Sequence, residues 1–440
     1  MKVLIITQFV EGYGGGTGRV AYDMAEAFSK EHEVTLVCPA EKTGIIERRG
    51  KLLIYGIKSY TMKKKGDVSF SWWSPKNKKG FYDFIKRFAP DVIHSHQPVN
   101  IDTVALKYAA KHSIPFFYTG HVLPSKALIY QMPGKIAKPV NSLLLHTVLK
   151  PYFKSYFKFC DGIVTLNKFS YEDHEKIADF QKLHIIPNGK NLARFYKNAH
   201  PRLDEKKKRL VFVGHLSKRK NQEFLVEVMR YLPPDYELTL VGPPLYDSYG
   251  KLLKKRINQL KLKNVKLLGP VAHEKIPEIY ADSHILVSAA TLEVQSLAVI
   301  EALASGTPVV GLSNETIDEL IKDGENGFRL PKNASPKEFA DMIKRITSLS
   351  EEEYDKMCKA AHESSQMFDW QHVIDKTIEM YNEAKEEHQA IKRRELMRLN
   401  MVVSLNIILS SLLYLLANLS FSLKKLIKRR RKVLTLTLCF

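Results

Sequence analysis

Apolar runs and amphipathic segments alternate along nearly the whole chain. The runs are short and rich in Val, Ile and Leu, which predicts strands buried on both faces, and segments with helical spacing of apolar residues separate them. Such βαβ alternation predicts parallel sheets with helices on their faces. The predicted strands cover residues 2–8, 33–38, 92–96, 115–119, 162–166, 183–187, 209–216, 236–241, 265–268 and 284–288.

A polar, charge-dense and proline-containing stretch at residues 196–209 interrupts this alternation and is typical of a linker. The strand pattern starts again directly after it. Because 440 residues also exceed what one core usually fills, we predict an α/β fold with two Rossmann-like domains, 1–195 and 209–366. A ligand is expected between them, at the carboxyl ends of the strands.

The segment after the last predicted strand contains Glu293 and Glu301, eight positions apart. A helix predicted over about 296–304 places Glu293 at a strand-to-helix turn, where free backbone amides can bind a phosphate. Glu301 then lies inside the helix, where it can accept hydrogen bonds from a sugar or a ribose. One interpretation is that both carboxylates serve a single polyhydroxylated, phosphorylated ligand. The other is a capping Glu and a surface Glu without a shared ligand.

Two loops add candidate phosphate-binding groups. A glycine loop at 12–18 precedes a helix predicted over about 19–30, and it suits either a cradle for phosphate or sugar or a flexible turn. In the second half, Lys218, Arg219 and Lys220 lie together on a strand-to-helix loop. A cation there can neutralise the charge on a departing diphosphate without a metal, although three adjacent basic residues also suit a solvated patch.

Three histidines follow predicted strands of the first half. His121 lies just beyond strand 115–119, where catalytic loops of open α/β sheets are found. His94 and His96 have the i, i+2 spacing of metal ligands, but the sequence shows no third ligand at a suitable spacing, so we predict no metal. The four cysteines are scattered, which favours a reducing compartment over a disulfide framework. The first ten residues predict a strand and no signal peptide.

The net charge of +21 is concentrated at the end of the chain, where residues 391–440 hold eleven Lys and Arg against one acid. Within this tail, residues 401–423 are uncharged. A helix of that length, at about 1.5 Å per residue, is long enough for a hydrocarbon core of roughly 30 Å. We predict a C-terminal hydrophobic helix with a basic tail that attaches the protein to a membrane, either by spanning it or by lying on it. A buried helix or an interaction tail is the alternative.

Two further segments combine basic and aromatic residues. Residues 63–87 hold eight Lys and Arg among aromatic side chains, which suits an anionic membrane surface, nucleic acid or a solvated loop. Residues 150–158 place lysines at i, i+4 spacing among aromatics. That helix suits either contact with anionic lipid or the ordinary arrangement, with its aromatics in the core and its lysines outside.

Several motifs occur in a fixed order along the chain. They are the glycine loop, PNGKNLARF at 187–195, VGHLSKRKN at 213–221, EVQSLAVIEALASGTPVV at 293–310, DGENGFRL at 323–330 and FDW at 368–370. Together they resemble family 4 of the retaining glycosyltransferases, which have the GT-B architecture, over roughly residues 1–385. The resemblance implies a nucleotide-diphosphate sugar as donor, held mainly by the second domain. In line with the histidine spacing, no cofactor and no metal are expected.

The resemblance also implies roles for the residues that match these motifs. Glu301 would bind the ribose hydroxyls, and Glu293 would bind hydroxyls of the transferred sugar near the reaction centre. Lys220 would pair with the diphosphate, helped by backbone amides near Leu297 and Ala298. The expected catalytic residues are thus Glu293 and Lys220, joined by a histidine of the first domain.

That histidine is His121, which would lie on the acceptor side near the sugar. Gly15 and Gly16 would lie close to the leaving diphosphate. A last helix at 370–388 would return to the first domain and complete it, with Trp370 at the crossing.

One position departs from the family pattern. Where the family usually has Arg, this chain has His215, and a neutral imidazole supplies less charge than a guanidinium. Either Arg219 substitutes for that Arg, or stabilisation of the leaving group is weaker. The variant Glu-Val-Gln-Ser-Leu at 293–297 resembles the form in diacylglycerol glucosyltransferases. It favours a membrane lipid or a lipid-linked glycan as acceptor.

The leading prediction is therefore a hexosyltransferase at the cytoplasmic face of a membrane. Its expected partners are a nucleotide-sugar donor, a lipid or glycan acceptor and an anionic membrane surface, with no nucleic acid. Two other classes stay open. A basic nucleic-acid-binding protein would explain the charge but not the paired carboxylates and glycines. A sugar-nucleotide binder impaired by His215 would keep the fold without the transfer.

Overall fold

The described part of the protein consists of two sheets covered by helices, the first mostly parallel and the second entirely parallel. The computed structural model describes residues 1–9, 15–61, 69–71, 75–98, 101–126, 145–196 and 200–387. The strands of the first sheet are β1 Lys2–Ile6, β2 Glu33–Ala40, β3 Gly44–Arg49, β4 Leu52–Thr61, β5 Ser69–Ser71, β6 Val92–Ser95, β7 Phe116–Gly120, β8 Gly162–Thr165 and β9 Leu183–Ile185. The strands of the second are β10 Lys208–Val213, β11 Tyr236–Val241, β12 Val265–Gly269, β13 Ile285–Ser288, β14 Val309–Leu312 and β15 Gly327–Leu330.

The helices follow the same division. The first domain contains α1 Gly15–Phe28, α2 Pro75–Phe88, α3 Ile101–His112, α4 Lys150–Lys158 and α5 Lys168–Glu175. The second contains α6 Gln222–Val228, α7 Asp247–Gln259, α8 Ile276–Ala281, α9 Leu297–Ala304, α10 Glu315–Leu320, α11 Pro336–Thr347 and α12 Glu351–Ser364. The last helix, α13, runs over Trp370–Glu387.

All ten strands predicted from the apolar pattern are present, with ends shifted by a few residues. Strands β3, β4, β5, β14 and β15 were not predicted. β3 is mostly exposed and polar because it lies at the sheet edge, antiparallel to β4, so no apolar run marks it. The helix predicted from about Arg19 begins earlier, at Gly15, so that part of the predicted glycine loop is helical. The rest of that loop, residues 12–14, lies outside the described residues.

The first sheet has the order β3-β4-β2-β1-β6-β7-β8-β9, and β5 pairs with β4. Its central pairs are parallel, as the βαβ pattern predicts. One face is covered by α2, α3 and α4, and the other by α1 and α13. β1 lies between β2 and β6, so the chain winds outward from β1 towards one sheet edge through β2 and towards the other through β6. Ligands of open α/β sheets bind at such a reversal of strand order.

The second sheet has the order β12-β11-β10-β13-β14-β15, and all its pairs are parallel. The order reverses between β10 and β13, which are neighbours although β11 and β12 separate them in sequence. The loops that follow these two strands therefore meet at one edge of the sheet. They contain Lys220 and Glu293.

The chain passes between the domains twice at one place. Leu192 and Phe195 already pack in the core of the second domain, so the first crossing precedes the polar stretch 196–209 that the sequence indicated as linker. On the way back, Trp370 joins the core under the first sheet. The two crossing segments are hydrogen-bonded to each other, since the backbone amide of Lys190 donates to the carbonyl of Phe368 at 2.7 Å.

The helix α4 keeps its aromatics inside. Tyr152, Phe153, Tyr156 and Phe157 are buried, while Lys154 and Lys158 are exposed, which is the ordinary one of the two predicted arrangements. On the neighbouring α2, Phe81 is also fully buried in the core. The lysines thus face solvent without aromatic neighbours from α4 at the surface.

The predicted membrane segment 401–423 and the basic tail lie outside the described residues, as do Trp72 and Trp73. In the part of the chain that the structure does describe, no helix has both the length and the apolar character needed to cross a bilayer. Cys38, Cys160 and Cys358 are buried.

Candidate functional site

The two domains meet where the loop after β13 contacts the ends of first-domain strands. The side-chain amide of Asn167 donates to the carbonyl of Val294 at 2.6 Å. The side chain of Gln295 bridges in both directions, since its Nε2 donates to the carbonyl of Leu166 at 3.1 Å and its Oε1 accepts from the amide of Asn188 at 2.8 Å. Residues 294 and 295 are therefore held in the cleft by polar contacts with the first domain.

Glu293 precedes these residues and is 8% exposed. Its Oε1 lies 2.5 Å from an Arg219 guanidinium nitrogen and 2.7 Å from the Lys220 ammonium. The Arg219 guanidinium also donates to the carbonyl of Leu292 at 2.7 Å, which ties the two loops together. The structure thus brings together three of the predicted site residues, one carboxylate and two cations.

The loop that holds Glu293 is supported by the start of α10. Asn314 caps that helix by accepting from the amides of Thr316 and Ile317. Thr316 Oγ1 accepts from the amide of Ser296 at 3.0 Å, and the carboxylate of Glu315 accepts from the amide of Glu293 at 3.3 Å. These supports were not predicted from the sequence, although a Ser-Asn pair after an apolar run is a capping signal.

The starts of two helices face each other across the cleft. A Cβ on Gly16, in the first turn of α1, would lie 3.4 Å from the Leu297 side chain at the start of α9. The first amides of a helix have no intrahelical partner, which makes them donors for an anion. Gly15 and Gly16 at one helix, and Leu297 and Ala298 at the other, are therefore near one another, as the predicted diphosphate site requires.

Glu301 lies deeper, in the middle of α9, and is 5% exposed. Its Oε1 forms an ion pair with the Lys190 ammonium at 2.6 Å, and its Oε2 accepts from the Tyr280 hydroxyl at 3.3 Å. Burial, and then the nearby Glu301 carboxylate, raise the pKa of Tyr280 well above its ordinary value, so the phenol stays a donor. The second predicted carboxylate is thus buried but paired.

Lys190 and Tyr280 are functional candidates that sequence analysis missed. Lys190 stands within the motif PNGKNLARF, but nothing in the motif indicates that its side chain reaches a different domain. The one available signal was a lysine three residues after a predicted strand, at the end of the sheet where a ligand is expected.

His121 belongs to a row of three histidines at the ends of β6 and β7. Nε2 of His121 lies 2.8 Å from Nδ1 of His96, and the His94 ring stacks on His96 at 5.3 Å between centroids. His94 is held at both nitrogens, by the Tyr381 hydroxyl and the Thr119 hydroxyl, each at 2.6 Å.

Burial dominates the protonation of this row. It lowers the pKa of His94 to about 3 and that of His121 to about 4, and for His94 the nearby His121 adds to the effect. The pKa of His96 also lies well below its ordinary value, for the same first reason. All three rings are therefore neutral near pH 7. Both His94 nitrogens contact hydroxyls and Nδ1 of His96 contacts His121, while Nε2 of His96 is buried without a hydrogen-bond partner among the described residues. No group of three or more His, Cys, Asp or Glu suited to a metal occurs in the part of the chain that the structure describes.

The loop around His121 borders the Glu293 loop. Leu123, two residues after His121, packs with Leu166 and Val294, and Val294 directly follows Glu293. His121 is consequently placed on the first-domain side of the cleft, opposite the carboxylate.

His215 does not join the charged cluster through any described contact of its side chain. Its carbonyl accepts from the Gln222 side chain at 3.1 Å, and its Nδ1 is buried without a hydrogen-bond partner among the described residues. Arg219, by contrast, reaches Glu293 together with Lys220. Arg219 is thus the second basic side chain at Glu293, which is the position that the first of the two sequence interpretations expects.

Comparisons with known proteins agree with this geometry. The family model described as "Glycosyltransferase Family 4" matches residues 14–194, and the one described as "Glycosyl transferases group 1" matches residues 195–364. The chain belongs to glycosyltransferase family 4. It is a glycosyltransferase with the sugar-nucleotide-binding GT-B fold, as the motif resemblance predicted.

Curated relatives include two alpha-monoglucosyldiacylglycerol synthases. That of Acholeplasma laidlawii is 27% identical over 298 residues, which cover 60% of this chain and 71% of that protein. That of Streptococcus pneumoniae is 24% identical over 261 residues, covering 55% of this chain and 56% of that protein.

Solved structures share the fold over most of the chain. Sucrose-phosphate synthase from Thermosynechococcus elongatus superposes with a TM-score of 0.69 at 18% identity, and the match covers 88% of this chain and 100% of the other. Anabaena HepE in complex with UDP-glucose superposes with a TM-score of 0.65 at 17% identity, over 88% of this chain and 100% of the other. At these identities the likeness shows the fold alone.

Proposed function

We infer that this family 4 enzyme is a retaining, metal-independent hexosyltransferase that uses a membrane lipid of the diacylglycerol type, or a lipid-linked glycan, as acceptor. The observation that supports it best is the cluster at the cleft, where the buried Glu293 carboxylate holds Arg219 and Lys220 beside the start of α9. A phosphate-binding helix start, two cations and a sugar-binding carboxylate are the groups that a nucleotide-diphosphate sugar requires.

The chemistry assigns a task to each group. The bond between the anomeric carbon and the diphosphate oxygen breaks, and both electrons leave with the nucleotide diphosphate. Lys220 and Arg219 stabilise that growing charge, together with the amides of Leu297 and Ala298. The acceptor hydroxyl bonds to the same face of the anomeric carbon and gives its proton to the departing diphosphate oxygen. Glu293 accepts hydrogen bonds from sugar hydroxyls.

His121 completes the sugar site from the first domain. Because its pKa is lowered to about 4, the neutral ring offers one hydrogen bond to a sugar hydroxyl and no positive charge. The other nitrogen is fixed by His96.

The residue assignment is tested with purified protein and labelled UDP-glucose, UDP-galactose and GDP-mannose in the presence of membranes. Products that extract into organic solvent report donor and acceptor together. We expect Glu293→Gln and Lys220→Met to reduce turnover by roughly a hundredfold or more. Lys322→Met is the matched control, since Lys322 is a surface lysine whose side chain is 70% exposed. Wild-type turnover in both site variants would refute the assignment.

The stereochemistry and the acceptor need separate measurements. Proton NMR of the product gives the anomeric configuration, and inversion relative to the donor would refute the retaining mechanism. The diacylglycerol acceptor is supported by the Glu-Val-Gln-Ser-Leu segment and by relatives named as alpha-monoglucosyldiacylglycerol synthases. Transfer to soluble sugars or sugar phosphates alone, with none to lipid, would refute it.

A basic surface of the first domain supports the membrane as a partner. The helices α2, α3 and α4 cover the same face of the first sheet. Their outward sides present Lys76, Lys78, Lys79, Lys86, Arg87, Lys107, Lys111, Lys150, Lys154 and Lys158. Burial and the neighbouring Lys78 and Lys111 lower the pKa of Lys107, which shows how closely these cations are grouped.

We expect the full chain to bind vesicles containing phosphatidylglycerol more tightly than neutral vesicles, with affinity that falls as salt rises. The triple substitution of Lys76, Lys79 and Lys86 by Glu should weaken binding. The same substitutions at Lys251, Lys254 and Lys255, which are exposed lysines of α7 in the second domain, provide a control with equal charge change. Equal losses in both variants would contradict docking through the first domain.

The catalytically impaired alternative makes a distinct prediction. A sugar-nucleotide binder without activity would bind UDP-glucose but would neither hydrolyse nor transfer it with any acceptor. The position of Arg219 beside Lys220 argues against that outcome, because two cations already lie where the leaving group is expected.

A further inference from the structure

Lys190 is one of the most buried charged side chains that the structure describes, with 3% of the residue exposed. Its ammonium lies 2.6 Å from Glu301 Oε1 and 3.4 Å from Nε2 of His273, and it stands 5.5 Å from the centre of the Phe195 ring. Burial, and next the charge of Lys190, lower the pKa of His273 to about 4, so the imidazole is neutral and can accept from the lysine. A buried ammonium with this set of partners is fixed in position.

The geometry at Glu301 leaves a defined capacity for ligand. A carboxylate has about four acceptor sites, two on each oxygen. Lys190 uses one site on Oε1. The single proton of the Tyr280 hydroxyl is shared between Oε2 at 3.3 Å and the carbonyl of Ala298 at 3.1 Å, so Tyr280 uses at most one site on Oε2. Among the described residues no other group donates to this carboxylate, so at least one acceptor site stays on each oxygen, and the contacts with Lys190 and Tyr280 limit its rotation. Two adjacent acceptors at fixed positions match the two neighbouring hydroxyls of a ribose.

The two partners of this ion pair approach from different sides. Glu301 belongs to the second domain, in the middle of α9. Lys190 stands at the first crossing between domains, where its backbone amide donates to the carbonyl of Phe368 and its backbone pairs with Asp369 at the second crossing. The orientation of Glu301 thus depends on the position of the crossing relative to the second domain.

We propose that Lys190 is a positioning residue of the donor site, which orients Glu301 so that its two remaining acceptor sites receive the ribose hydroxyls. This inference rests on the proposed function, since it gives Glu301 a ribose to bind. Lys190 acts through Glu301 and contacts neither the sugar nor the diphosphate. Its removal is expected to affect donor binding and to leave acceptor binding largely unchanged.

The test compares variants of the full chain by calorimetric binding of UDP and of 2′,3′-dideoxy-UDP. In the wild type we expect UDP to bind more tightly, because only UDP has both hydroxyls. Lys190→Met should weaken UDP binding roughly tenfold or more while weakening the dideoxy analogue much less. Lys190→Arg, which keeps the charge, should retain part of the preference. Steady-state kinetics should show a raised KM for the donor with the acceptor KM within about twofold.

A double-mutant cycle shows whether Lys190 acts through Glu301. Glu301→Gln alone should reduce the preference for UDP, and adding Lys190→Met should reduce it no further. The double variant also removes both charges of the buried pair, so it stays folded even if an unpaired Glu301 destabilises Lys190→Met. Additive losses, an unchanged preference in Lys190→Met, or tighter UDP binding by that variant would overturn the proposal. The last result would mean that Lys190 competes with the ribose.

Failure of the proposal is distinct from failure of the proposed function. If the wild type binds UDP, GDP and ADP no better than it binds free phosphate, the donor site itself is absent and both inferences fall. If the wild type and Glu301→Gln differ but Lys190→Met matches the wild type, the sugar-nucleotide function stands and only the role of Lys190 is refuted.

Discussion

Replacing Lys220 by Met should separate catalysis from stability. In the structure one oxygen of Glu293 has two cationic partners, Lys220 at 2.7 Å and Arg219 at 2.5 Å. When Lys220 is removed, the carboxylate keeps Arg219. Leaving a buried charge unpaired lowers the free energy of unfolding by about 3–5 kcal/mol, and the remaining Arg219 contact prevents that loss here. What is lost is one charge-assisted hydrogen bond, so we expect the free energy of unfolding to fall by at most about 2 kcal/mol.

The effect on the reaction should be larger. Lys220 is only 14% exposed at its side chain, and its charge acts in a cleft from which water is partly excluded. Removing a donor that stabilises developing negative charge typically costs about 10²–10³ in kcat, or about 2.7–4 kcal/mol of barrier. The barrier should therefore rise by more than the fold is destabilised.

Two assays on the same preparations check this expectation. Urea unfolding followed by circular dichroism gives the free energy of unfolding, and product formation from UDP-glucose at saturating donor gives kcat. Lys322→Met, which removes an exposed lysine from a surface pair with Glu325, should change neither. A Lys220→Met protein that loses about 4 kcal/mol of stability, or that keeps kcat within threefold of the wild type, would refute the reasoning.

Two further predictions concern the crossing and the histidine row. Gly189→Ala should lower the free energy of unfolding by about 1–3 kcal/mol or more, because the new Cβ would lie 2.2–2.5 Å from ring atoms of Trp370. The control is Gly80→Ala on helix α2, where the nearest atom to the new Cβ would be 3.9 Å away. This control should be neutral or stabilising in the same urea titration. The pKa of His121 is about 4 in the folded protein, below the ordinary value of 6.5. Between pH 6.5 and pH 4 the unfolded chain therefore binds more protons than the folded protein, and the free energy of unfolding falls as the pH drops through this range. His121→Asn should reduce this loss of unfolding free energy by up to about 1.4 kcal/mol per pH unit. Urea unfolding at pH 7.5, 6.0 and 5.0 measures it. If the variant and the wild type show the same pH dependence, burial does not lower the pKa of this ring.

The pairing of Glu293 with the basic loop follows from information that the sequence contains. The apolar runs predicted β10 and β13, and a ligand was expected at the carboxyl ends of such strands. Glu293 and Lys220 follow those two strands, which are neighbours in the sheet. Local pattern and a general rule of α/β folds were therefore enough to predict that these residues lie near one crevice.

The pairing of Glu301 with Lys190 could not be predicted in this way. Glu301 lies on α9 of the second domain and Lys190 at the crossing between the domains, so their contact depends on how that crossing is placed. That placement is fixed by contacts such as those of Gln295 with Leu166 and Asn188, which no periodicity reveals. The helical start at Gly15 was missed for a related reason, because glycines have low helix propensity and the helix is stabilised by packing under the first sheet.

The adjacency of Lys190 and Asp369 restricts how the enzyme can open. The outgoing and returning segments of backbone run side by side at one point, instead of at two separated points along the interface. Two separated connections would resist swinging and permit only small sliding movements. A single paired connection acts as one pivot, so a rotation of one lobe about an axis through it stretches neither segment. Admission of a bulky donor and release of its product are then compatible with a stiff pair of lobes whose internal packing does not change.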